Sequence, residues 1–250
     1  MHASEYGVMR ECEDAHWWYV ALHELGIDTT RKCLAGKDNA RLLDAGCGTG
    51  GFLEKVHQTA PEMIGMEPSG FAFDELKSRK LEKLVRGDLL RSPFASDSFD
   101  IVSSHDVIGL FAGETLKMAV HELCRMVRHD GYLILNLPAW QALLSDHDRF
   151  VGNKTRFTAN QARKLLEAEG MKIEWHTYRM FLLFPAAVAS RLIDRLKHRQ
   201  EVTESDVKMP GPLTNTILRS IMRLENAMIK LGIRLPWGLS LFIVARKNTR

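Results

Sequence analysis

The residues best suited to chemistry lie in the segment LLDAGCGTG at positions 42–50, where an acid is followed by glycine at every second position. The leading leucines are typical of a short buried strand, and the glycines let the backbone turn tightly and approach a ligand closely. Residues 51–60 have a helical pattern, so the loop would lie at a helix N-terminus. Such a loop suits a nucleoside-bearing cofactor, and Asp44 favours one with a cationic or hydroxyl-rich part. The alternative is a tight strand-to-helix turn without a ligand.

Two further acids extend this pattern. Asp44, Glu67 and Asp88 fall at the ends of the first three predicted strands, and the carboxyl ends of parallel strands meet at one edge of a sheet. A carboxylate after the second strand can accept hydrogen bonds from ribose hydroxyls. A carboxylate after the third strand can accept one from an exocyclic amine. Three acids in register with a glycine loop therefore predict a cofactor site at this edge.

Strand and helix patterns alternate along most of the chain, which predicts an α/β fold with a mainly parallel sheet between two layers of helices. The predicted strands are residues 41–46, 63–67, 83–86, 99–104, 132–137, 172–178 and 239–246. The predicted helices are residues 4–35, 51–60, 70–80, 114–128, 158–169, 191–200 and 213–231. In an open sheet of this kind, ligands bind at the carboxyl ends of the strands.

Composition limits the function classes. The 250 residues, 45% hydrophobic and 26% charged, fit one large domain with an elaboration. The four cysteines contain no C-x-x-C pair, and we predict no metal site. No apolar run is long enough to span a bilayer and the N-terminus does not resemble a signal peptide, so we expect a cytoplasmic protein.

The charge is unevenly distributed. The net charge of +3 is too small to indicate nucleic acid binding, and we expect none. Residues 179–250, however, contain 13 Lys and Arg against 5 Asp and Glu, a net +8 that leaves −5 for residues 1–178. A basic C-terminal third favours peripheral contact with the inner membrane face through residues 179–235, or is an ordinary solvated surface.

Four segments resemble the class I S-adenosylmethionine-dependent methyltransferases. They are LLDAGCGTG (42–50), MIGMEPS (63–69), GDLLRSPFASDSFDIVSSHDV (87–107) and ELCRMVRHDGYLILNLP (122–138). The resemblance covers about residues 38–178 and the final strand. It implies a Rossmann-like seven-stranded sheet whose last strand is antiparallel, and S-adenosyl-L-methionine as the cofactor. The domains are then a helical arm or lid (1–37), a cofactor-binding core (38–178), a helical insertion (179–238) and a last core strand with its tail (239–250).

The same resemblance implies roles for residues at the sheet edge. The glycines of the loop would line the methionine side of the cofactor, Glu67 would bind the ribose, and Asp88 with Leu89 would bind the adenine. The predicted cofactor-binding residues are Asp44, Gly46, Cys47, Gly48, Gly50, Glu67, Pro68, Asp88, Leu89, Ser104, Trp17 and Tyr19.

A narrower similarity extends to a bacterial subgroup of methyltransferase type 11-like proteins. It rests on YGVMRECEDAHWWY, SDHDRFVGNKTRFT, the FLLFPAAVASRL region and the ending LPWGLSLFIVAR. The resemblance implies that the segment from His16 to Tyr19 is a lid near the cofactor; the alternative is that its tryptophans anchor the arm. Many members have a Glu-His pair after the fourth strand, where this chain has Gly109-Leu110, so no base is assigned from that position.

Methyl transfer from a sulfonium is an in-line displacement that mainly requires alignment of donor and acceptor, and only some acceptors need a base. Candidate catalytic residues are His105 and Asp106, after the fourth predicted strand, and His147, after the fifth. Candidate substrate-binding residues are Tyr19, Arg149, Arg156, Phe181 and Phe184. For each of these residues the alternative is a packed or solvent-exposed position without a role in the reaction.

The insertion 179–238 combines apolar and basic residues and is the predicted specificity element. It would bind a small-molecule, apolar or lipid-like acceptor, lie on a membrane, pack over the sheet or form a homodimer interface. The leading hypothesis is a small-molecule methyltransferase. One alternative is an NAD(P)-dependent oxidoreductase, whose G-x-G-x-x-G spacing fits Gly46, Gly48 and Gly51 but does not require Asp88. The other is a non-catalytic scaffold that binds S-adenosylmethionine.

Overall fold

The computed structural model describes residues 3–37, 39–57, 59–60, 62–196 and 209–249. Its helices are α1 (Ala3–Cys12), α2 (Trp17–Leu34), α3 (Gly51–His57), α4 (Gly70–Ser78), α5 (Gly113–Met126), α6 (Asp146–Val151), α7 (Ala159–Ala168), α8 (Phe184–Leu196) and α9 (Pro212–Lys230). Its strands are β1 (Leu42–Ala45), β2 (Met63–Glu67), β3 (Leu84–Arg86), β4 (Phe99–His105), β5 (Val127–Pro138), β6 (Met171–Arg179) and β7 (Ser240–Lys247).

The strands form one seven-stranded sheet in the order β3-β2-β1-β4-β5-β7-β6. Strand β7 runs antiparallel to both of its neighbours, and the other neighbouring pairs are parallel. The predicted seven-stranded, mostly parallel sheet with an antiparallel last strand is therefore confirmed. The strand order reverses between β1 and β4, and in an open sheet the crevice at such a reversal is where ligands bind.

Apolar clusters cover both faces of the sheet. On one face, residues such as Leu123 of α5 and Leu166 of α7 pack against the strands. On the other face, Leu25 of α2, Phe52 of α3 and Ile229 of α9 do so. Strand β1 is buried along its whole length, which explains why its sequence is a short apolar run rather than an alternating pattern.

The N-terminal arm and the insertion pack together on one face of the sheet. The Asn215 side chain accepts a hydrogen bond from the backbone N–H of Trp17 and donates one to the carbonyl of Ala15, both at 2.9 Å. Further along α9, Asn226 donates to the carbonyl of Ala21 at 2.8 Å. Helices α2 and α9, which are distant in the sequence, therefore form one layer.

The structure corrects several predicted elements. The arm is two helices, because the chain turns before His16, whose Nδ1 accepts a hydrogen bond from the Trp18 N–H at 3.3 Å. Helix α5 ends at Met126 rather than at residue 128, because β5 already pairs with β4 from Val127. Gly131 lies inside β5, where the pairing with β4 shifts register.

Two other differences concern the second half of the chain. Helix α6 was not predicted, because six residues are too few to show a period; Ser145 caps it by accepting from the Asp148 N–H. Helix α8 begins at Phe184, seven residues before the predicted start at 191, so that part of the apolar segment is helical. Residues 197–200, the last part of that predicted helix, lie outside the described residues.

Candidate active site

A cavity of about 680 Å³ lies at the carboxyl ends of β1, β2 and β4, within the usual range of ligand sites of roughly 300–1,000 Å³. The arm, the glycine loop and the segment after β5 all contribute to its wall. Most of the predicted site residues line it, namely Asp44, Gly46, Cys47, Gly48, Glu67, Pro68, Asp88, Leu89, Trp17, Tyr19, His105, Asp106, His147 and Arg156.

The glycine loop is fixed to the sheet. The backbone N–H groups of Gly46 and Cys47 donate to the carbonyl of Met66 at 2.8 and 3.1 Å. Gly46 has a φ of 83°, and a β-carbon there would collide with Val107. Gly50, also predicted to line the cofactor, is not on the cavity wall, and a β-carbon there would meet Leu76 instead. Gly46 and Gly50 therefore both have to be glycine, but because of different neighbouring side chains.

The Glu67 carboxylate at the end of β2 is buried and bonded on both oxygens. Its Oε1 accepts from the Tyr6 hydroxyl at 3.0 Å and from the Ser69 N–H at 3.1 Å, and its Oε2 accepts from the Gly48 N–H at 3.1 Å. Burial raises the pKa of Glu67 although these bonds oppose the shift. Burial and the neighbouring Glu67 charge raise the pKa of Tyr6 to about 12, so its hydroxyl is a donor.

Asp44 lies beside Glu67 on the same wall. Its Oδ1 accepts from the Ser103 hydroxyl at 3.0 Å, and burial, with a further contribution from the Glu67 charge, raises its pKa to about 7. Two buried carboxylates facing one cavity fit a ligand with a cationic centre and hydroxyl donors, because such groups offset the cost of burying negative charge. Sulfonium, ammonium and ribose groups of S-adenosylmethionine meet this requirement.

Beyond the glycine loop, Asp88 and Ser104 differ in their surroundings. Asp88 is exposed at the cavity edge, and its Oδ1 accepts from the Leu90 N–H at 2.8 Å. Ser104 is buried and donates to the carbonyl of Ala45 at 2.8 Å. It is absent from the cavity wall, so its hydroxyl joins β4 to β1 rather than binding the cofactor.

An aromatic wall leads from the arm to the end of β4. His16, Trp17, Trp18 and Tyr19 line the cavity. The rings of His23 and Phe52 are 5.8 Å apart, and those of Phe52 and His105 are 4.7 Å apart. The segment from His16 to Tyr19 thus contributes to the cavity wall, and its role as a lid stays a prediction.

His105 is neutral in this wall. Its ring packs between Phe52 and Phe242, and neither ring nitrogen has a hydrogen-bond partner among the described residues. Burial, reinforced by the Arg179 charge, lowers its pKa to about 3. A proton acceptor with so low a pKa is a poor base near neutral pH, so the geometry favours His105 as a hydrogen-bonding group rather than as the base.

Asp106 is the better placed proton acceptor. It has a φ of 58°, and its Oδ2 accepts from the Asn136 amide at 2.7 Å, while its N–H donates to the Asn136 carbonyl at 2.8 Å. Burial raises its pKa to about 6, against the opposing effect of Asn136 and Arg179. A carboxylate on the cavity wall that titrates near neutrality suits general base catalysis.

Beneath these residues lies a buried cation that sequence reasoning missed. Arg179, at the end of β6, is fully buried; its Nη1 donates to Asn136 Oδ1 at 3.4 Å, whereas Nε and Nη2 have no partner among the described residues. Glu225 of α9 faces it and accepts from the N–H groups of Met180 and Phe181 at 2.6 and 2.7 Å. The only sequence signal was a charge at the end of a predicted strand.

The structure corrects the predicted anion clamp. Arg156 is buried and paired with Asp148 through Nε at 3.0 Å and Nη2 at 2.8 Å, and its Nη1 donates to the Ala139 carbonyl at 2.9 Å. Although burial opposes it, the bonds from Arg156 lower the pKa of Asp148. The guanidinium therefore holds the loop after β5 and is already occupied.

Three other substrate-binding predictions fall outside the cavity wall. Arg149 is exposed on α6, the Phe181 ring packs against Trp237 with centroids 5.0 Å apart, and Phe184 begins α8. Met180 and Arg191 line the cavity instead. Side-chain direction at the start of the insertion, rather than residue type, decides which of these neighbours reaches the site.

The departure at Gly109-Leu110 has a packing reason. The Gly109 carbonyl accepts from the N–H groups of Lys154 and Thr155 at 2.7 and 3.0 Å, and a β-carbon on Gly109 would lie 2.8 Å from Pro138. Gly109 thus joins the segment after β4 to the loop after α6, and its close packing leaves no space for a side chain.

The arm is also joined directly to the glycine loop through Glu13. Its carboxylate accepts from the Thr49 hydroxyl at 2.6 Å, the Gly51 N–H at 2.9 Å and Arg79 Nη2 at 2.6 Å. Sequence reasoning missed this residue, because its partners lie 36 to 66 positions away. The contact holds the start of the aromatic wall against the predicted cofactor loop.

Comparisons with known proteins agree with this geometry. Residues 43–135 match the family model described as a methyltransferase domain. Over 123 residues the chain is 30% identical to a malonyl-acyl-carrier protein O-methyltransferase of Enterobacter lignolyticus, a match that covers 49% of this chain and 48% of the relative. The chain thus spans about half the length of this curated relative.

Solved structures share the fold. A putative sarcosine dimethylglycine methyltransferase from Galdieria sulphuraria superimposes with a TM-score of 0.58 at 13% identity, covering 92% of this chain and 86% of that one. A magnesium protoporphyrin IX methyltransferase from Synechocystis with bound S-adenosylmethionine does so with a TM-score of 0.52 at 15% identity, covering 92% and 81%. The family match over residues 43–135, together with the shared fold, shows that the chain contains a methyltransferase domain, and the wall of Asp44, Glu67 and Asp88 is consistent with S-adenosylmethionine as its cofactor.

Proposed function

We propose that this protein transfers a methyl group from S-adenosylmethionine to a small-molecule acceptor whose reacting part binds among apolar and aromatic side chains. The observation that carries the proposal is the single cavity, which joins the cofactor-side residues Gly46 and Glu67 to the acceptor-side residues His105 and Asp106. Donor and acceptor held in one cavity react as if in one molecule, which is the main contribution a methyltransferase must make.

The cofactor side provides charge and hydrogen-bond partners. The cofactor supplies a methyl group activated by a sulfonium sulfur. Glu67 Oε2 accepts one bond from Gly48 and has room for one more, since a carboxylate oxygen accepts two. Asp44 lies beside it with Ser103 as its only hydrogen-bond donor among the described residues. These two carboxylates would hold the hydroxyl and cationic parts, and Asp88 with Leu89 would hold the base.

The acceptor side excludes water and offers two polar groups of different character. Trp17, Trp18 and Phe111 make most of its surface apolar. Neutral His105 would donate or accept a hydrogen bond and so orient the acceptor. Asp106 would remove the proton from an O–H or N–H acceptor, because its pKa of about 6 leaves it ionised at neutral pH.

The cellular setting is part of the same proposal. None of the described helices is long and apolar enough to cross a membrane. We place the protein in the cytoplasm, since its four cysteines are free in a structure that packs three of them in the interior. No nucleic acid partner is proposed, and a homodimer is a proposal that sedimentation would test.

Calorimetry with S-adenosylhomocysteine and with NAD separates the proposed function from the oxidoreductase alternative. We expect binding of S-adenosylhomocysteine only, and weaker binding by Glu67→Gln. Radiolabelled methyl transfer from the donor to water-soluble and lipid fractions of a cell extract then tests catalysis. Binding without transfer to either fraction would favour the scaffold alternative, and binding of NAD alone would contradict the proposal.

A further inference from the structure

The outward face of α9 is apolar. Leu213, Ile217, Leu224 and Leu231 are 76%, 51%, 59% and 82% exposed. Their spacings of four and seven residues place them along one stripe of the helix and its C-terminus. The buried face is the opposite one, where Met222, Glu225, Asn226 and Ile229 lie. Helix α9 therefore has two apolar faces, of which only one is covered by the described residues.

Exposed apolar side chains are concentrated in this part of the molecule. Among the described residues, ten large apolar side chains are exposed, and eight of them lie between residues 182 and 237. These eight are Leu182, Met209, Leu213, Ile217, Leu224, Leu231, Ile233 and Trp237. Single exposed apolar residues are normal, but a cluster marks an interaction surface.

The charges of the segment that carries the stripe are mostly basic. Residues 209–238 contain four basic residues, Arg219, Arg223, Lys230 and Arg234, and one acid, Glu225, which is buried. Glu24 and Asp28 of α2 pair with Arg223 and Lys230. Arg219 and Arg234 have no acidic partner among the described residues. An apolar stripe flanked by cations fits an anionic lipid surface, whereas a second copy would bring like charges together.

The stripe begins close to the cavity wall. Pro210 lines the cavity three residues before Leu213, and Trp17, also on the wall, is bonded through its N–H to Asn215 in the first turn of α9. A molecule that leaves a surface against the start of α9 is therefore already near residues of the cavity wall. This continuity links the exposed stripe to the acceptor side of the site.

We propose that α9 docks flat on an anionic lipid bilayer and that the cavity takes its acceptor from that membrane. The 19 residues of α9 extend about 28 Å, and an amphipathic helix of this kind lies in the interface with its apolar side chains among the acyl chains. The proposal that α9 docks on a bilayer depends only on the stripe and its charges. The proposal that the acceptor comes from the membrane depends on the proposed function.

Vesicle cosedimentation of the full chain tests the docking. We expect binding to vesicles of phosphatidylcholine mixed with phosphatidylglycerol at least about tenfold tighter than to phosphatidylcholine alone. Raising the salt concentration should weaken it, because the Debye length falls from about 10 Å at 0.1 M to about 3 Å at 1 M. Equal binding to both vesicles, or none to either, would overturn the proposal.

Substitutions on the stripe make the test specific. Leu224→Glu and Leu231→Glu should each reduce vesicle affinity at least about tenfold. Met118→Glu is the matched control, because Met118 of α5 is 49% exposed and remote from the stripe in the fold; it should bind as the parent does. Unchanged affinity for S-adenosylhomocysteine verifies that the variants fold. Parent-like vesicle binding by both stripe variants would overturn the proposal.

Sedimentation tests the alternative that a second copy of the chain covers this face. One result would overturn the lipid proposal and assign the stripe to a second copy. In that case the parent protein is dimeric and does not bind vesicles, and Leu224→Glu makes it monomeric. The acceptor part is tested by methyl transfer to extracted lipids in anionic vesicles, which Leu224→Glu should reduce and Met118→Glu should not. Failure of S-adenosylhomocysteine to bind any variant would count against the proposed function and leave the docking result standing.

Discussion

The proposed cofactor half and the proposed acceptor half of the cavity are built in opposite ways. The cofactor half comes from short segments at consecutive strand ends, and the Glu67 carboxylate there already accepts three hydrogen bonds. The acceptor half comes from α2, the end of β4, α6 and the start of the insertion, and the His105 nitrogens there have no partner among the described residues. Buried polar groups are normally bonded, so the His105 nitrogens are available to bond with an acceptor.

This difference explains why a cofactor site could be predicted from the sequence and an acceptor could not. The residues of the proposed cofactor site lie in short local motifs. The acceptor site depends on which side chains of distant helices reach the cavity. The four experiments below test this division from the largest expected effect to the smallest.

Gly46→Ala should abolish cofactor binding, because the loop must shift to relieve the collision with Val107. The matched control is Gly36→Ala. Gly36 has a comparable φ of 79°, but open space surrounds its β-carbon position. The control should cost only about 1 kcal/mol of stability and bind as the parent does. Calorimetry with S-adenosylhomocysteine and thermal unfolding separate the two effects, and normal binding by Gly46→Ala would show that the loop is not part of the site.

Asp106→Asn should lower kcat by about 100-fold or more with an O–H or N–H acceptor, with little change in cofactor affinity. The raised pKa sets the pH dependence: the carboxyl is protonated below a pKa of about 6 and ionised above it, so parent activity should rise between about pH 5 and pH 7. The variant should lose this rise. A variant profile identical to that of the parent would exclude Asp106 as the base.

Glu67→Gln should weaken cofactor binding by about 1–3 kcal/mol, or roughly 5- to 150-fold, since a charged acceptor becomes a neutral amide. Glu82→Gln, at an exposed position outside the cavity wall, is the control for the loss of one negative charge. If titration gives the same cofactor affinity for both variants, the ribose does not bind at the end of β2.

Tyr6→Phe has the smallest predicted effect and the opposite sign. The Tyr6 hydroxyl occupies one acceptor position on Glu67 Oε1, and a ribose that bonds to Glu67 competes for it. Removing a hydrogen bond of about 1 kcal/mol should therefore tighten cofactor binding about fivefold. Weaker binding by the variant would instead place the hydroxyl among the groups that bind the cofactor.

Much of the fold and the cofactor half could be predicted because strand ends, glycines and acids are local features. Asp44, Glu67 and Asp88 line one cavity, as the register of three strands predicted. Tyr6 and Arg179 could not be predicted, because their partners lie 61 and 43 residues away.

The acceptor half also showed the limit of reasoning from residue type. Arg156 has the charge of an anion clamp, but the sequence does not reveal that Asp148, eight residues earlier, already accepts from Nε and Nη2 along one edge of its guanidinium. Phe181 and Phe184 have the apolar character of an acceptor pocket, but their backbone positions direct them elsewhere. Residue types suggest candidate acceptor-binding residues, but the packing of helices against the sheet determines which of them line the cavity.

The bond between Trp17 and Asn215 joins residues 198 positions apart, and this has a consequence for biosynthesis. At about 5–20 residues per second, the ribosome needs about 10–40 s to deliver Asn215 after Trp17 has been made. During that interval the side of α2 that will meet α9 has no neighbour. A nascent chain interrupted before Pro212 would keep this side open, and we expect such fragments to be early targets of chaperones and proteases.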